Sequence, residues 1–153
     1  MKNSRGAFTM IELVFVIVII GILAAVAIPR ISATRDDAHV SKLAHNIMTG
    51  VSEIASYAMS KSVIDNNFTL MSNALNTMEK SGDVVFEDSQ AKVKAGNISN
   101  CIIVSIDKNN TTGIDMLNIT FEDPSNDSVC IALQSAIDAN KYPMKLRGTY
   151  VTY

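Results

Sequence analysis

The fold is decided by residues 8–29, which read FTMIELVFVIVIIGILAAVAIP. Glu12 is the only charged residue between Phe8 and Ile28. At about 1.5 Å per residue, this stretch forms a helix of roughly 30 Å, which is the hydrocarbon thickness of a bilayer. The sequence therefore predicts one membrane-spanning helix near the N-terminus.

The charges on either side of this segment bear on its orientation. Lys2 and Arg5 precede it, and basic residues favour the cytoplasmic side of a membrane. Arg30 and Arg35 follow it and weaken that preference. We expect a cytoplasmic N-terminus and a C-terminal head outside the cytoplasm.

Two other interpretations of the segment stay open. One is a cleavable secretory signal peptide, with Ala25-Val26-Ala27 as its cleavage site. Glu12 at the head of the apolar core and Pro29 just behind the cut count against that interpretation. The other is a plain signal anchor that holds a periplasmic domain.

Glu12 is the residue that most needs an explanation. An acidic side chain in a membrane-spanning helix costs about 2.5–3.5 kcal/mol and usually marks a function or a partner. The apolar stretch itself contains no cation. A partner would come from the leader, from another molecule, or from a new α-amine made by proteolysis before Phe8. The alternative is a carboxylate that reaches the lipid headgroups.

Residues 5–12, RGAFTMIE, and the apolar run that ends at Pro29 resemble the leader and N-terminal helix of type IV pilins and pseudopilins. In this family a prepilin peptidase cuts before a Phe and N-methylates the new terminus. The resemblance implies a leader of residues 1–7, cleavage between Ala7 and Phe8, and methylation of Phe8. Glu12 is then the fifth residue of the mature chain. The alternative is cleavage after Gly6, because Gly usually precedes the cut.

The resemblance also implies how the protein assembles. Residues 8–29 would be the transmembrane helix and then the filament core, and Glu12 would pair with the α-amine of Phe8 on a neighbouring copy. Gly21 and Pro29 lie where the family carries a Gly and a Pro. Gly is a poor helix former and Pro cannot donate a backbone hydrogen bond. The segment between them is therefore a candidate for local melting, and the alternative is an ordinary proline kink.

After Pro29 the apolar residues recur at helical spacing, three or four apart, which predicts an amphipathic continuation of the helix to about Lys61. The stripe consists of Val40, Leu43, Ile47, Val51, Ile54 and Ala58. Such a stripe has to pack against other elements, because exposed it would aggregate. We expect it to be part of a globular head formed by residues 30–153.

Shorter elements are predicted along the rest of the chain. One helix is 68–80, and Ser81-Gly82-Asp83 ends it. Its apolar face consists of Leu70, Met71, Ala74, Leu75 and Met78. Residues 128–140 could be a strand or a helix, and a cap at Asp127 together with the apolar spacing favours the helix. The strands are 84–86, 91–93, 101–106, 116–121 and 146–153. The polar stretch 107–115 is typical of a hairpin connection. The predicted fold class is α+β: a long N-terminal helix, with a transmembrane half and an amphipathic half, packed on a small antiparallel sheet as in pilins.

The sequence offers little catalytic chemistry. Cys101 and Cys130 lie in the part predicted to face an oxidising compartment, so we expect a disulfide, with two buried thiols as the alternative. His39 and His45 are six residues apart and do not share a helix face. We expect no enzyme activity, no catalytic residues, no metal and no cofactor.

The predicted function is that of a structural subunit of a type IV pilus or a type II secretion pseudopilus. The expected partners are a prepilin peptidase, copies of the chain and other pilins or pseudopilins, an inner-membrane assembly platform and the lipid bilayer. The expected location is the inner membrane, single-pass with a periplasmic head, and then a periplasmic pseudopilus or cell-surface pilus. A net charge of −2 argues against nucleic-acid binding. The alternative is an anchored or secreted periplasmic binding domain that does not polymerise.

Overall fold

The computed structural model describes residues 8–61, 64–65, 67–108 and 114–146. The chain divides into two compact units, Met1–Asp37 and Ala38–Tyr153. Helix α1, Met10–Lys61, contributes residues to both units. Its predicted end at about Lys61 is confirmed.

The described part of the first unit is the N-terminal portion of α1. Every side chain from Leu13 to Pro29 is apolar or absent, so this portion has no polar face. A helix that is hydrophobic all round requires apolar surroundings on every side. The α-helical conformation continues through both Gly21 and Pro29.

In the second unit, the C-terminal portion of α1 supplies one side of the core. All six residues of the predicted stripe are buried, and Gly50 is buried with them. Leu43, Ile47 and Ile54 are completely inaccessible to solvent. The stripe lies in one hydrophobic cluster with the buried residues of the sheet and of the later helices. The sequence pattern therefore predicted the core face of this helix correctly.

The predicted helix over residues 68–80 is wrong in one respect, because the chain forms two helices there. Helix α2 spans Phe68–Met71 and helix α3 spans Asn73–Ser81. Ser72 between them has extended backbone, and its side chain accepts a hydrogen bond from the backbone N–H of Leu75. Serine at this position starts a new helix because its oxygen satisfies an N–H that has no partner inside the helix.

The apolar face expected for this region is only partly buried. Leu75 and Met78 of α3 and Met71 of α2 are buried, whereas Leu70 is 62% exposed. The break at Ser72 explains the difference, because residues on either side of it do not follow one helical period. Gly82, predicted to end the helix, is its C-cap in the left-handed conformation.

Five antiparallel strands form one sheet in the order of the chain, so each strand pairs with the next. They are β1 (Val84–Glu87), β2 (Gln90–Ala95), β3 (Ile98–Lys108), β4 (Asp115–Phe121) and β5 (Met144–Lys145). Val93 in β2 pairs with Val84 of β1 and Ile102 of β3, and all three are buried. The first four predicted strands are confirmed. Part of the predicted hairpin connection, residues 109–113, lies outside the described residues.

The C-terminal region differs from the prediction in the lengths of its elements. Helix α4 spans only Ser128–Ser135, and a 3₁₀ helix follows at Ala139–Lys141. Asp127 caps α4 as expected. Of the strand predicted over 146–153, Leu146 follows β5 and residues 147–153 lie outside the described part of the chain. The predicted α+β, pilin-like arrangement of a long helix packed on a small antiparallel sheet is confirmed.

Candidate functional site

The apolar portion of α1 is the most exposed hydrophobic surface of the described chain. Its mean hydropathy reaches 3.1 over 18 residues, and none of that window is buried. Phe8, Ile11 and Phe15 are each at least two-thirds exposed. An apolar surface of this extent marks a site of contact with lipid or protein. The helix is long and apolar enough to cross a membrane, as the sequence predicts.

Glu12 sits at the head of this surface in a reciprocal capping arrangement with Thr9. The Glu12 carboxylate oxygen Oε2 accepts hydrogen bonds from the Thr9 backbone N–H at 2.9 Å and from the Thr9 hydroxyl at 2.7 Å. The backbone N–H of Glu12 donates to the Thr9 hydroxyl oxygen at 3.3 Å. This is the capping box, in which a Thr and a Glu three residues later satisfy each other's free backbone donors.

The capping box fixes where the Glu12 side chain points. Because both bonds from Thr9 go to Oε2, the other oxygen, Oε1, accepts no hydrogen bond from the part of the chain that the structure describes. No cation of the described residues pairs with this carboxylate. The site therefore holds a positioned negative charge with one oxygen available to a cation from outside.

Sequence reasoning identified Glu12 but missed Thr9. The signal was present, because Thr-x-x-Glu before an apolar run is the sequence pattern of a capping box. Thr9 keeps the carboxylate at the start of α1, whereas the prediction left its orientation open.

Gly21 and Pro29 lie in the apolar portion of α1, and both are helical. A Cβ built on Gly21 would meet no atom within 4 Å, so space inside this chain does not require a glycine. Pro29 leaves the carbonyl of Ala25 without its helical donor. Local melting between Gly21 and Pro29 on departure from lipid stays a prediction.

The predicted processing site is described on one side only. The leader, residues 1–7, lies outside the described residues, and with it Gly6 and Ala7 at the cut. Phe8, the first described residue, is 81% exposed and precedes the helix. Cleavage and N-methylation at Phe8 stay predictions.

The predicted disulfide between Cys101 and Cys130 is present, and both cysteines are fully buried. It joins β3 to α4 across 29 residues of sequence. The Gln134 side chain lies beside it, where its amide donates to the backbone oxygens of Cys101 and Glu122 at 2.9 and 2.7 Å. These bonds connect α4 to the ends of β3 and β4, so the disulfide is part of the framework of the head.

Asp127 connects the other end of α4 to the turn between β2 and β3. One carboxylate oxygen accepts from the N–H groups of Val129 and Cys130, and the other accepts from the N–H of Asn97, each at 3.0 Å. The bond from Asn97 is the main reason that the pKa of Asp127 lies below its usual value, and the bond from Cys130 follows. The ionised carboxylate therefore stabilises this connection.

Side chains able to bind a metal are not clustered in the described part of the chain. No group of three or more His, Cys, Asp or Glu side chains there is arranged to hold a metal ion. His39 instead lies 3.6 Å from a carboxylate oxygen of Asp83, and the Lys42 ammonium lies 3.7 Å from the other oxygen. These contacts place polar side chains of α1 against the loop before β1.

The comparison with protein families bears on the N-terminal segment. A family model described as the prokaryotic N-terminal methylation motif matches residues 2–28. This motif is the hallmark of type IV pilins and pseudopilins, so the resemblance of the segment to that family is confirmed. The match covers residues 2–7 of the predicted leader and nearly all of the apolar run, and it does not extend to the head. No curated protein and no solved structure matches the chain.

Proposed function

We propose that the protein is a structural subunit of a type IV pilus or a type II secretion pseudopilus. In this proposal a prepilin peptidase processes the chain, which then polymerises through α1 and acts by assembly without turnover of a substrate. The observation that carries the proposal is Glu12, a carboxylate capped by Thr9 and paired with no cation of the described residues, at the head of an apolar helix that matches the methylation motif. The apolar surface allows the helix to be stored in a membrane, and the carboxylate allows a specific partner to recruit it.

The storage step follows from the apolar surface of α1. Before assembly, residues 8–29 would lie in the inner membrane with the head in the periplasm, and lipid would cover the exposed side chains. In a filament, the same surface would be covered by the helices of other copies. The same surface would then be covered by apolar groups both in the membrane and in the filament, which explains why this portion of the helix has no polar face.

The pairing step follows from charge. Removal of the leader would create an α-ammonium at Phe8 in the membrane interface. The Glu12 carboxylate of a neighbouring copy could accept hydrogen bonds from this group and form an ion pair with it. The attraction between opposite charges grows as the effective dielectric falls, and an unpaired charge becomes more costly. This contact would therefore select one register between copies over others.

The first experiment is the intact mass and N-terminal peptide of the mature protein from membranes and from sheared surface or periplasmic material. We expect a chain that begins at N-methylated Phe8. A chain that begins with Met1, or at Ile28 after signal-peptide cleavage, contradicts prepilin processing.

The second experiment replaces Glu12 by Ala and measures the share of the protein that enters assembled filaments. We expect that share to collapse, because the carboxylate that receives the neighbouring α-ammonium is lost. Glu79→Ala is the matched control, since it removes an exposed carboxylate from α3 in the head. If Glu12→Ala and Glu79→Ala assemble equally well, the protein is better described as a membrane-tethered binding domain that does not polymerise.

A further inference from the structure

Six asparagines of the chain begin the acceptor pattern for N-glycosylation, which is Asn-x-Ser or Asn-x-Thr. The structure describes four of them, namely Asn67, Asn97, Asn118 and Asn126. Among these four, Asn67 alone has an acidic residue two positions earlier, which is Asp65. The stretch 65–69, DNNFT, therefore matches the longer bacterial pattern, in which an acidic residue precedes the acceptor by two positions.

Asn67 is exposed and lies outside regular secondary structure. It stands between α1 and α2, and its backbone is extended, with φ at −100° and ψ at 105°. Asn118, by contrast, lies within β4 and is paired with Ser105 of β3. An enzyme can enclose an exposed side chain on a connecting segment more readily than one in the middle of a sheet. Asn67 is thus accessible in the way that a modified residue has to be.

The amide nitrogen of Asn67 is free to react. Its oxygen Oδ1 accepts hydrogen bonds from the Thr69 backbone N–H at 2.9 Å and from the Thr69 hydroxyl at 2.6 Å. A backbone N–H can only donate, so the atom that receives it is the oxygen. The nitrogen Nδ2 donates to no atom of the residues that the structure describes. The side chain therefore presents the atom to which a glycan is attached.

Asp65 is held beside the acceptor. Its oxygen Oδ1 accepts a hydrogen bond from the Asn67 backbone N–H at 3.1 Å. No cation in the described ranges forms an ion pair with this carboxylate. The negative charge is therefore available to a basic group of an enzyme. Hydrogen bonds join the three residues that define the pattern, Asp65, Asn67 and Thr69, into one surface segment.

The disulfide between Cys101 and Cys130 supports a location of the head in which this modification occurs. Disulfides form and persist outside the cytoplasm, and N-glycosylation acceptors belong to surface segments of exported proteins. The inference thus rests on one part of the proposed function, the export of the head. It does not depend on polymerisation.

We propose that Asn67 is the acceptor of an N-linked glycan, and that an oligosaccharyltransferase recognises it through Asp65 and Thr69. The donor is a lipid-linked glycosyl diphosphate. A bond forms between Nδ2 and the anomeric carbon of the sugar, and the bond from that carbon to the diphosphate oxygen breaks. The lipid diphosphate leaves with the bonding electrons, and Nδ2 gives one proton to a base of the enzyme. No group is oxidised or reduced.

The test is peptide mass spectrometry of the full-length protein, purified from membranes of the cells in which it naturally occurs. We expect the peptide that contains Asn67 to carry the mass of a glycan, with fragmentation placing it on that residue. Asn97 and Asn126 are matched internal controls, because both are exposed and have Ala95 and Pro124 where Asn67 has an acidic residue. Their peptides should have unmodified masses.

Peptide-level mapping is needed because a second stretch has the same pattern. Asn109 follows Asp107 by two positions and lies outside the described residues. A glycan found on that residue does not count as one on Asn67.

Three variants separate modification from the structural role of Asn67 as the cap of α2. Asn67→Asp removes Nδ2 but keeps an oxygen for the cap, so it should fold like the wild type and lose the glycan. Thr69→Ser keeps the hydroxyl and should stay glycosylated. Asp65→Asn keeps an oxygen that can accept from the Asn67 N–H but removes the charge, so the glycan should again be lost.

An unmodified Asn67 in the natural protein overturns the inference. A glycan that persists in Asn67→Asp also overturns it, because the sugar would then be attached to another residue, such as the Thr69 hydroxyl. A glycan retained in Asp65→Asn overturns recognition through the carboxylate. The N-terminal peptide of the same preparation reports separately on the proposed function. A chain that begins at Met1 with a glycan on Asn67 would contradict prepilin processing and still support this inference.

Discussion

Replacement of Gly50 by Ala tests whether α1 and α3 are as closely packed as the structure indicates. Gly50 is buried in α1, and a Cβ added there would lie 2.7 Å from Cγ of Leu75 and 3.2 Å from the hydroxyl oxygen of Ser72. Carbon atoms in contact prefer about 3.5–4.0 Å. Leu75 is completely inaccessible to solvent and lies in the core cluster. The new methyl group therefore has to displace α3 or distort Leu75.

Two opposing effects decide whether Gly50→Ala raises or lowers the free energy of unfolding. Alanine gains about 1 kcal/mol over glycine in a helix interior. Overpacking of a filled core costs about 1–3 kcal/mol, and a gap nearly 1 Å too short places Gly50→Ala in the upper part of that range. We expect a net loss of about 1–2 kcal/mol in the free energy of unfolding. In a Leu75→Ala background the clash with Cγ is gone, so the same substitution should stabilise by up to about 1 kcal/mol.

The assay is urea unfolding of the full chain in detergent micelles. Tyrosine fluorescence is the appropriate signal, because the protein has four Tyr and no Trp, and helical circular dichroism would be dominated by the apolar portion of α1. Ser52→Ala, on the exposed face of the same helix, should change the free energy of unfolding by less than about 0.5 kcal/mol. A Gly50→Ala variant more stable than the wild type, or equal effects in both backgrounds, would refute the close contact.

Two further predictions concern the framework of the head. Because its folded pKa is lowered, Asp127 stabilises the head above the unfolded pKa of about 3.9, and this contribution is lost as the pH falls through the folded pKa. The urea midpoint of the wild type should therefore fall more steeply below about pH 4 than that of Asp127→Asn, and parallel curves would contradict this prediction. Replacement of both Cys101 and Cys130 by Ala removes a loop closure across 29 residues and should cost about 3–4 kcal/mol on the chain-entropy account. The same measurement with and without reductant on the wild type checks that loss, and an unchanged midpoint on reduction would exclude it.

Some elements could be predicted from local sequence pattern, because the residues that define them are close together in the sequence. The stripe from Val40 to Ala58 repeats at the helical period, and its burial follows from that repeat alone. The strands β3 and β4 are marked by β-branched and aromatic residues on either side of a polar stretch. The apolar portion of α1 could be predicted from its composition and length. These features could be predicted because their physical cause is contained in a short window of sequence.

The break between α2 and α3 has a cause that is distant in sequence. Glu53 on α1 accepts hydrogen bonds from the Ser72 hydroxyl at 2.7 Å and from the Ala74 backbone N–H at 2.9 Å. A carboxylate from another helix thus stabilises the N-terminus of α3, where a negative charge is favourable. No property of residues 68–80 indicates this partner. In a single helix through Ser72, the Ala74 N–H would instead donate to a carbonyl of the same helix, and Glu53 would lose that donor.

Thr9 changes the physical description of Glu12. Its two hydrogen bonds solvate the carboxylate but bring no positive charge, so the group is less costly to hold at the membrane and still favours a cation. Both donor atoms belong to Thr9, beyond the predicted cut before Phe8, so cleavage would leave the capping box intact. The carboxylate would then keep the same position before processing, after processing and in a filament. Assembly would require only that the second oxygen meet the new α-ammonium, without rearrangement of the helix start. The discrimination between registers would therefore come from charge at a fixed point.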